Sequence, residues 1–253
     1  MEKGPRKNLD IIYGLHSVME AIKSEKELNK IFFNKTLESD QAKELYALAF
    51  KLGIPCQKVP VEKINQMTRK NHQGVVAFIS PVSFTSIDQV VNRAYEEGRD
   101  PILLVLDRIS DVRNFGAIAR SAYGAGIDGL IIPFKGGAAV NEDAMKTSSG
   151  ALNHLPLIRE PDLKHTIPFL KNLGLTTVAI TEKADQLIHE STLTGPTALI
   201  LGSEETGIAP NLLENADIKA KIPMYSDLGS LNVSVAAGIA LYEVQRQRHY
   251  NIH

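Results

Sequence analysis

Three short segments concentrate the side chains of this sequence that could bind a ligand or act on one. The first is 111–120, Asp-Val-Arg-Asn-Phe-Gly-Ala-Ile-Ala-Arg, in which Arg120 closes a stretch of mostly small and apolar residues with a helical pattern. Core packing does not explain an arginine at this position. Two interpretations stay open for the segment by itself: Arg120 is an ion-paired or snorkelling side chain, or it has a functional role.

The second and third segments lie further along the chain and also follow apolar runs. Residues 202–207 read Gly-Ser-Glu-Glu-Thr-Gly, which is either an ordinary turn or a loop whose glycines let the backbone approach a ligand. In the third segment, Ser230, Asn232 and Ser234 stand before or at the start of the last predicted helix. One such residue is enough to cap a helix, so three within five positions exceed what capping requires.

The elements that must position these segments alternate between apolar runs and helical patterns. We predict strands over 102–106, 129–133, 176–180, 197–201 and 219–223, and helices over 114–123, 142–148, 163–173 and 233–247. Strands this continuously apolar, alternating with helices, indicate a parallel sheet that is covered on both faces. Loops at the carboxyl ends of such strands are where open α/β sheets bind ligands.

The sequence before this region predicts a smaller α/β unit with a different charge. We assign 1–80 to that unit, 81–100 to a linker that includes a short helix from Ile87 to Gly98, and 101–253 to the main domain. Residues 1–80 hold 13 Lys and Arg against 9 Asp and Glu, a balance of +4, whereas 81–253 hold 15 against 20, a balance of −5. The net charge of −1 therefore hides a basic front segment, which is either an ordinary solvated surface or a segment whose partner differs from that of the rest of the chain.

Several classes of protein find no support in the sequence. No apolar run approaches the length of a membrane-spanning helix, and the first residues show no secretion signal, so we expect a cytoplasmic protein. A single cysteine, Cys56, excludes an intrachain disulfide and a cysteine-cluster metal site, and we expect no metal. The G-x-G-x-x-G at 124–129 follows a predicted helix and precedes a strand, the reverse of a dinucleotide-binding fingerprint.

Taken together, the three segments resemble the three signature motifs of the SpoU/TrmH branch of the SPOUT superfamily, which are RNA ribose 2′-O-methyltransferases. Segments 13–21, 72–77 and 150–156 also resemble the large-subunit 23S rRNA guanosine methyltransferases of this branch, so nearly the whole chain is covered. The motif residues are Asn114, Gly116 and Arg120 in the first, Gly202, Glu204 and Gly207 in the second, and Pro223, Ser230, Leu231, Asn232 and Ser234 in the third.

This resemblance implies a small RNA-binding domain of ribosomal-protein type, followed by a parallel-sheet domain with a deep C-terminal trefoil knot. It further implies a homodimer and S-adenosylmethionine as cofactor. The residues expected to bind the cofactor are Gly202, Ser203, Gly207, Ile222, Met224 and Leu231. Those expected at the catalytic site are Arg120, Asn114, Glu204, Ser230 and Asn232.

The resemblance makes Arg120 the residue that activates the ribose hydroxyl, although a guanidinium keeps its proton above pH 12. We therefore expect Arg120 to bind the target phosphate and to stabilise the developing alkoxide. One departure is Val112-Arg113, where the family often has proline after the aspartate. Arg113 adds a cation that bears on which RNA is gripped.

The expected substrate is a guanosine of 23S rRNA, and two alternatives stay open. The chain could be a tRNA 2′-O-methyltransferase, which the resemblance of the basic N-terminal domain to the rRNA enzymes disfavours without excluding. It could also be a catalytically inactive RNA-binding factor of ribosome assembly. The presence of Arg120, Glu204, Ser230 and Asn232 argues against that second alternative, because a decayed enzyme should have lost some of them.

Overall fold

The computed structural model describes residues 11–227 and 229–250, which divide into two compact units between Ser83 and Phe84. The first unit is built on a four-stranded sheet in the order β1-β4-β2-β3, in which only the β2–β3 pair is parallel. Its elements are β1 (Ile11–Tyr13), α1 (Leu15–Lys23), β2 (Leu28–Asn34), α2 (Asp40–Lys51), β3 (Cys56–Val59), α3 (Val61–Met67) and β4 (Val75–Ile79).

The two faces of this first sheet are covered unequally. On one face, α1 and α2 pack through Val18 and Leu45 onto Ile31 and Phe33 of β2. On the other face, the described part of this unit contributes the seven-residue α3, whose Ile64 is fully buried within a smaller cluster. Because side chains alternate along a strand, β2 presents Phe32 to this second face between its two core residues.

The second unit is built on a seven-stranded sheet in the order β11-β9-β10-β6-β7-β8-β5, and every strand pair in it is parallel. Short 3-10 turns lie at Ala151–Asn153 and Ile188–Glu190. Its strands and helices are β5 (Phe84–Thr85), α4 (Ile87–Glu96), β6 (Ile102–Asp107), α5 (Val112–Gly124), β7 (Gly129–Pro133), α6 (Glu142–Thr147), β8 (Leu157–Glu160), α7 (Leu163–Asn172), β9 (Thr176–Ile180), β10 (Thr197–Gly202), α8 (Pro210–Asn215), β11 (Ile218–Ala220) and α9 (Val233–His249).

The central strand β6 shows why the sheet needs helices on both faces. All six of its residues are buried. Leu103 and Val105 belong to the core that α4 and α7 cover, and Leu104, between them, is also fully buried. The predicted α/β fold with a parallel sheet is therefore confirmed. Because all seven strands run in the same direction, the loops after β9, β10 and β11 emerge at one edge.

The structure differs from the predicted linker over 81–100. From Phe84 onward these residues belong to the second unit: β5 pairs with β8, and α4 buries Val90 and Val91 in the main core. The sequence pattern correctly predicts a helix ending before Gly98, which has φ +71°. It cannot show that the apolar stripe of this helix packs onto the sheet, because a linker helix and a core helix share the same periodicity.

Five short elements have no counterpart in the predictions: β1, α3, β5, β8 and α8. Each has between two and seven residues, too few for a helical or alternating pattern to stand out. Among the helices that the structure describes, none is long and apolar enough to cross a membrane.

Candidate active site

A cavity of about 300 Å³ lies at the carboxyl ends of β9, β10 and β11. Three loops and the start of α9 form its wall, and the residues lie far apart in the sequence. Its lining residues are Ile180, Thr181, Glu182, Lys183, Leu201, Gly202, Ser203, Glu204, Glu205, Thr206, Gly207, Ile208, Ile222, Met224, Gly229, Ser230, Leu231, Val233 and Ala236. The wall thus combines aliphatic side chains with a glycine-containing backbone and several polar groups.

The loop after β10 is a tight turn that closes on itself. The backbone N–H of Gly207 donates to the carbonyl of Ser203 at 2.9 Å, and the side chains of Ser203 and Thr206 are hydrogen bonded at 2.8 Å. Gly207 has φ +65°, a conformation that glycine adopts without strain. A Cβ at Gly202 would collide with the backbone of Gly207 and Ile208. The turn therefore requires both glycines, for different physical reasons.

Asp107 and Arg108, at the end of β6, anchor the far side of this turn. The buried carboxylate of Asp107 accepts hydrogen bonds from the Arg108 guanidinium at 3.1 Å and from the Ala209 backbone N–H at 2.7 Å. The same guanidinium donates to the Gly207 carbonyl at 3.1 Å. Arg108 itself has φ +57°, a left-handed conformation that costs a non-glycine residue about 1 kcal/mol.

Glu204 joins the three segments that the sequence singles out. Its Oε1 accepts hydrogen bonds from Asn232 Nδ2 at 2.6 Å, from Asn114 Nδ2 at 3.3 Å and from the Val233 backbone N–H at 3.2 Å. Asn232 Nδ2 also donates to Asn114 Oδ1 at 3.1 Å. One carboxylate oxygen thus ties the first turn of α5 to the start of α9.

The caps of α5 and α9 hold the two asparagines in place. Asp111 caps α5 by accepting from the Asn114 backbone N–H at 2.8 Å. Asn232 caps α9 through its Oδ1, which accepts from the Ser234 backbone N–H at 3.0 Å and from the Ser234 hydroxyl at 2.5 Å. Asn232 therefore uses its oxygen to cap α9 and its nitrogen to bind Glu204. This second bond explains why the start of α9 has more polar residues than a helix cap needs.

The structure brings together most of the residues predicted for the site. All six residues expected to bind the cofactor line the cavity, and so do Glu204 and Ser230. Asn114 and Asn232 reach the same place through their hydrogen bonds to Glu204. Gly116 has a separate, packing role, because a Cβ there would lie 2.6 Å from Thr147 Cβ on α6.

Arg120 is the predicted site residue that this cluster does not include. It lies on α5 with its side chain exposed, and it forms no hydrogen bond or ion pair with the residues that the structure describes. Phe115, Ile118 and Ala119 form the buried side of the same helix. Arg113, seven residues earlier and therefore on the same side of α5 as Arg120, is also exposed.

Sequence reasoning missed two parts of the site. Residues 180–183, which follow β9, line the cavity beside the loop after β10. The sequence could have indicated them, because their strand was predicted. The carboxyl ends of neighbouring parallel strands lie at the same edge of a sheet, so the loop after β9 had to lie near the loop after β10. Asp107 and Arg108 had no comparable signal, since an aspartate followed by an arginine after a strand is typical of many turns.

The described residues contain no group of three histidine, cysteine, aspartate or glutamate side chains that could hold a metal ion. The lining of the cavity offers aliphatic side chains, backbone groups and carboxylates.

Two family models match the chain. The model of the SpoU rRNA methylase family matches residues 101–242, a span that contains all three motif segments. The chain belongs to the SpoU rRNA methylase family. A second model, described as RNA 2′-O ribose methyltransferase substrate binding, matches residues 11–85, which include the whole described part of the first unit.

Relatives of this SpoU family member match along almost their entire length. A protein of Bacillus subtilis (strain 168), YacO, named as a TrmH family tRNA/rRNA methyltransferase, is 34% identical over 240 residues, which cover 95% of this chain and 96% of the relative. A protein of Staphylococcus saprophyticus with the same family name is 35% identical over 95% of this chain and 96% of its own.

Solved structures of SpoU and TrmH proteins share the fold. The SpoU methyltransferase AviRb from Streptomyces viridochromogenes, in complex with the cofactor AdoMet, aligns with a TM-score of 0.60 at 24% identity and covers 94% of this chain and 89% of its own. The TrmH/SpoU tRNA modifying enzyme of A. aeolicus aligns with a TM-score of 0.54 at 31% identity, over 63% of this chain and 83% of its own.

Proposed function

We propose that this protein transfers a methyl group from S-adenosylmethionine to the 2′-hydroxyl of a ribose in RNA. One observation carries the proposal. Asn114, Glu204 and Asn232, which lie up to 118 positions apart in the sequence, are hydrogen bonded to one another beside a single cavity. Folding alone does not require such a cluster of exposed polar side chains. Membership of the SpoU family supports methyl transfer to RNA as its purpose.

The cavity suits S-adenosylmethionine by its size and its lining. A volume of about 300 Å³ falls at the lower end of the range for small-molecule sites. Ile222, Met224 and Leu231 would provide an apolar wall for the adenine, and the turn from Gly202 to Gly207 would present its backbone to the ligand. Three carboxylates and one lysine line the cavity, a balance that suits the net positive charge of the cofactor.

S-adenosylmethionine supplies a methyl group bound to a positively charged sulfur. In the overall reaction the carbon–sulfur bond breaks, a bond forms between that carbon and the ribose O2′, and the hydroxyl proton passes to water. The protein's part is to orient the ribose and to favour negative charge on O2′. Asn114, Ser230 and Asn232 provide hydrogen-bonding groups at the mouth of the cavity, and Glu204 holds the two amides in fixed orientations.

Arg120 acts in this proposal as a permanent cation. Its guanidinium stays protonated throughout the physiological range, so it binds the phosphate next to the target ribose and stabilises the developing alkoxide. Its exposed position and its lack of a partner among the described side chains leave the guanidinium available for RNA.

We further propose that the protein acts as a homodimer through the exposed faces of α5 and α9. Val235, Ile239 and Tyr242 lie at i, i+4 and i+7 on α9 and are 49%, 38% and 66% exposed. Tyr123 on α5 is also exposed and stacks on His154. A second copy would cover this apolar stripe, and it would place Arg120, which shares the exposed side of α5, at the boundary between the copies.

The proposed C-terminal knot draws support from the sheet order. Strand β11 lies at one edge of the sheet, yet α9, which follows it, packs against α5 and bonds to Glu204 after β10. The connecting residues must therefore cross back over the cavity from the edge strand. We propose that in doing so they thread the loop between β9 and β10, which would make the knot a wall of the cofactor site.

The proposed substrate is 23S rRNA, with a guanosine as the target and the cytoplasm as the location. The match of the first unit to a model of RNA substrate binding supports an RNA substrate, and the resemblance of segments 13–21 and 72–77 to the 23S rRNA enzymes favours rRNA. Transfer RNA is the second candidate, because the A. aeolicus structure that aligns with this chain at 31% identity is a tRNA modifying enzyme. That match covers 63% of this chain.

Incubation of the protein with labelled S-adenosylmethionine and either 23S rRNA or total tRNA tests the proposal. We expect label in 23S rRNA at a nucleotide that alkali no longer cleaves on its 3′ side, since a 2′-O-methyl group blocks that cleavage. Label in tRNA alone would assign the tRNA substrate. Cofactor binding in calorimetry without transfer to either RNA would overturn the proposed activity.

A further inference from the structure

The two faces of the first unit's sheet differ in charge. Within residues 11–83, six of the seven acidic residues lie on α1 and α2 or in the segments beside them. Five lysines lie there too, and Lys58 of β3, which contacts the Tyr46 ring of α2, balances the sixth acid. The opposite face, which α3 covers in part, has Lys30, Lys63, Arg69 and Lys70 against the single acid Glu62. Nearly all the excess positive charge of the unit therefore belongs to one face.

Two of these lysines lie close together without a neutralising partner. The pKa of Lys30 lies below its ordinary value because of burial and, next, because of repulsion from Lys63. Neither Lys30, Lys63 nor Lys70 forms an ion pair with any residue that the structure describes. Holding two like charges together costs free energy unless an anion binds between or beside them.

Aromatic rings stand among these lysines. Phe32 and Phe78 pack edge to face with their centroids 5.6 Å apart, Lys30 Nζ lies 5.2 Å from the Phe32 centroid, and Lys70 Nζ lies 5.5 Å from the Tyr13 centroid. All three rings are only partly buried. We call the surface formed by these three rings with Lys30, Lys63 and Lys70 the aromatic-lysine face.

We propose that the aromatic-lysine face binds an unpaired stretch of the substrate RNA, with the lysines on phosphates and the rings stacked on bases. The inference rests on the proposed function, and it names the surface of the first unit that contacts RNA and the kind of RNA it prefers. Proteins that bind single-stranded RNA combine cations, which contact phosphates, with aromatic rings, which stack on bases. A duplex cannot use such rings, because its bases stack on one another and do not expose their faces.

A pair of charge-matched double variants tests the phosphate contacts in the full-length protein. Lys30→Gln with Lys63→Gln removes two charges from the aromatic-lysine face, and Lys23→Gln with Lys51→Gln removes two from α1 and α2. We expect the first pair to weaken binding of a short unstructured RNA roughly tenfold and to reduce the salt slope by about 1.4. The second pair should leave the affinity and the salt slope nearly unchanged. An equal loss of RNA affinity from the two pairs would overturn the inference.

Replacement of single rings tests the stacking. Phe32→Leu keeps an apolar side chain but removes the ring, and we expect it to weaken binding of the unstructured RNA at least about fivefold, with a much smaller effect on an RNA duplex of the same length. The control is Tyr46→Leu, since Tyr46 is a partly exposed ring beside Lys58 on the opposite face. Equal losses for single strand and duplex would contradict base stacking.

Two further measurements keep the results interpretable. Tyr13→Leu, on the edge strand β1, repeats the test away from the centre of the sheet in case Phe32→Leu unfolds the unit, and thermal melting reports folding of each variant. Methyl transfer by the unmodified protein to 23S rRNA is measured in parallel. If transfer occurs and the face variants bind RNA normally, the surface is wrong and the proposed function stands; absence of transfer overturns the function itself.

Discussion

Asn232 Nδ2 donates a 2.6 Å hydrogen bond to Oε1 of Glu204, and the Oδ1 of the same asparagine caps α9. The side chain therefore has two tasks that depend on opposite ends of its amide. An amide can do both because one end donates and the other accepts. Because the two ends of the amide have different tasks, we expect position 232 to be sensitive to a substitution that keeps the shape of the side chain and changes its charge.

Asn232→Asp should preserve the cap and break the link to Glu204. Aspartate caps helices as well as asparagine does, but its second oxygen would face the Glu204 carboxylate. We expect kcat to fall by roughly ten- to a hundredfold, a barrier increase of about 1–3 kcal/mol. Two facing carboxylates raise the apparent pKa of the pair, so activity should recover partly as the pH falls and one of them binds a proton.

The reversed pair gives the control for that prediction. Glu204→Gln combined with Asn232→Asp restores one donor and one acceptor with the charge on the other side, and we expect it to recover much of the activity that Asn232→Asp loses. A pH–rate profile of all four proteins in the cycle measures the coupling. Equal activity of Asn232→Asp and the unmodified protein would show that the hydrogen bond to Glu204 does not position the site.

Gly202→Ala should abolish tight cofactor binding. The added methyl group would collide with the backbone of Gly207 and Ile208, and backbone atoms cannot yield as a flexible side chain does. We expect the Kd for S-adenosylmethionine in calorimetry to rise at least about tenfold. Gly195→Ala serves as the matched control, because a Cβ at Gly195 would meet no atom within 4 Å. An unchanged Kd for Gly202→Ala would contradict the cavity as the cofactor site.

Arg108 offers a way to separate backbone strain from side-chain bonding. Arg108→Ala loses the hydrogen bonds to Asp107 and Gly207 and keeps the left-handed backbone, whereas Arg108→Gly loses the same bonds but relieves the strain. We expect the glycine variant to be more stable than the alanine variant by about 1 kcal/mol in chemical denaturation. Both should bind cofactor several-fold more weakly, because the turn after β10 loses its anchor.

The exposed stripe of α9 predicts the oligomeric state. Tyr242→Glu places a charge in the middle of the proposed interface, and we expect it to shift the protein to a monomer in light scattering and to reduce methyl transfer. Phe169→Glu, on the exposed side of α7 and 37% exposed, is the control and should leave the dimer intact. A monomeric unmodified protein would contradict the proposed dimer.

Cys56 should be protected from alkylation near neutral pH. Burial raises the pKa of its thiol to about 11, and the thiol faces the Ile54 carbonyl at 3.4 Å. Since the thiolate is the reactive form, we expect iodoacetamide to label the folded protein slowly at pH 8 and the unfolded protein fast, as measured by mass spectrometry. The free energy of unfolding should fall between pH 9 and 11, because the unfolded chain ionises first.

The sequence predicts the second unit better than the details of its site. Continuous apolar runs such as that of β6 can hardly form anything except buried parallel strands, so their positions follow from periodicity. The grouping of Asn114, Glu204 and Asn232 follows from the family motifs, but their hydrogen bonds do not. The hydrogen bonds of Arg108 to Gly207 and of Asp107 to Ala209 depend on the strand order, which places β6 beside β10. No local pattern in the sequence encodes that order.

The dependence of the cavity on α9 has a consequence for how the protein is made. Val233 and Ala236 line the cavity, and the backbone of Val233 completes the set of donors to Glu204. A ribosome synthesises these residues after every strand of both sheets. During translation the first unit can fold and meet RNA while the site for chemistry does not yet exist. The nascent chain therefore has no complete catalytic site until α9 packs against α5.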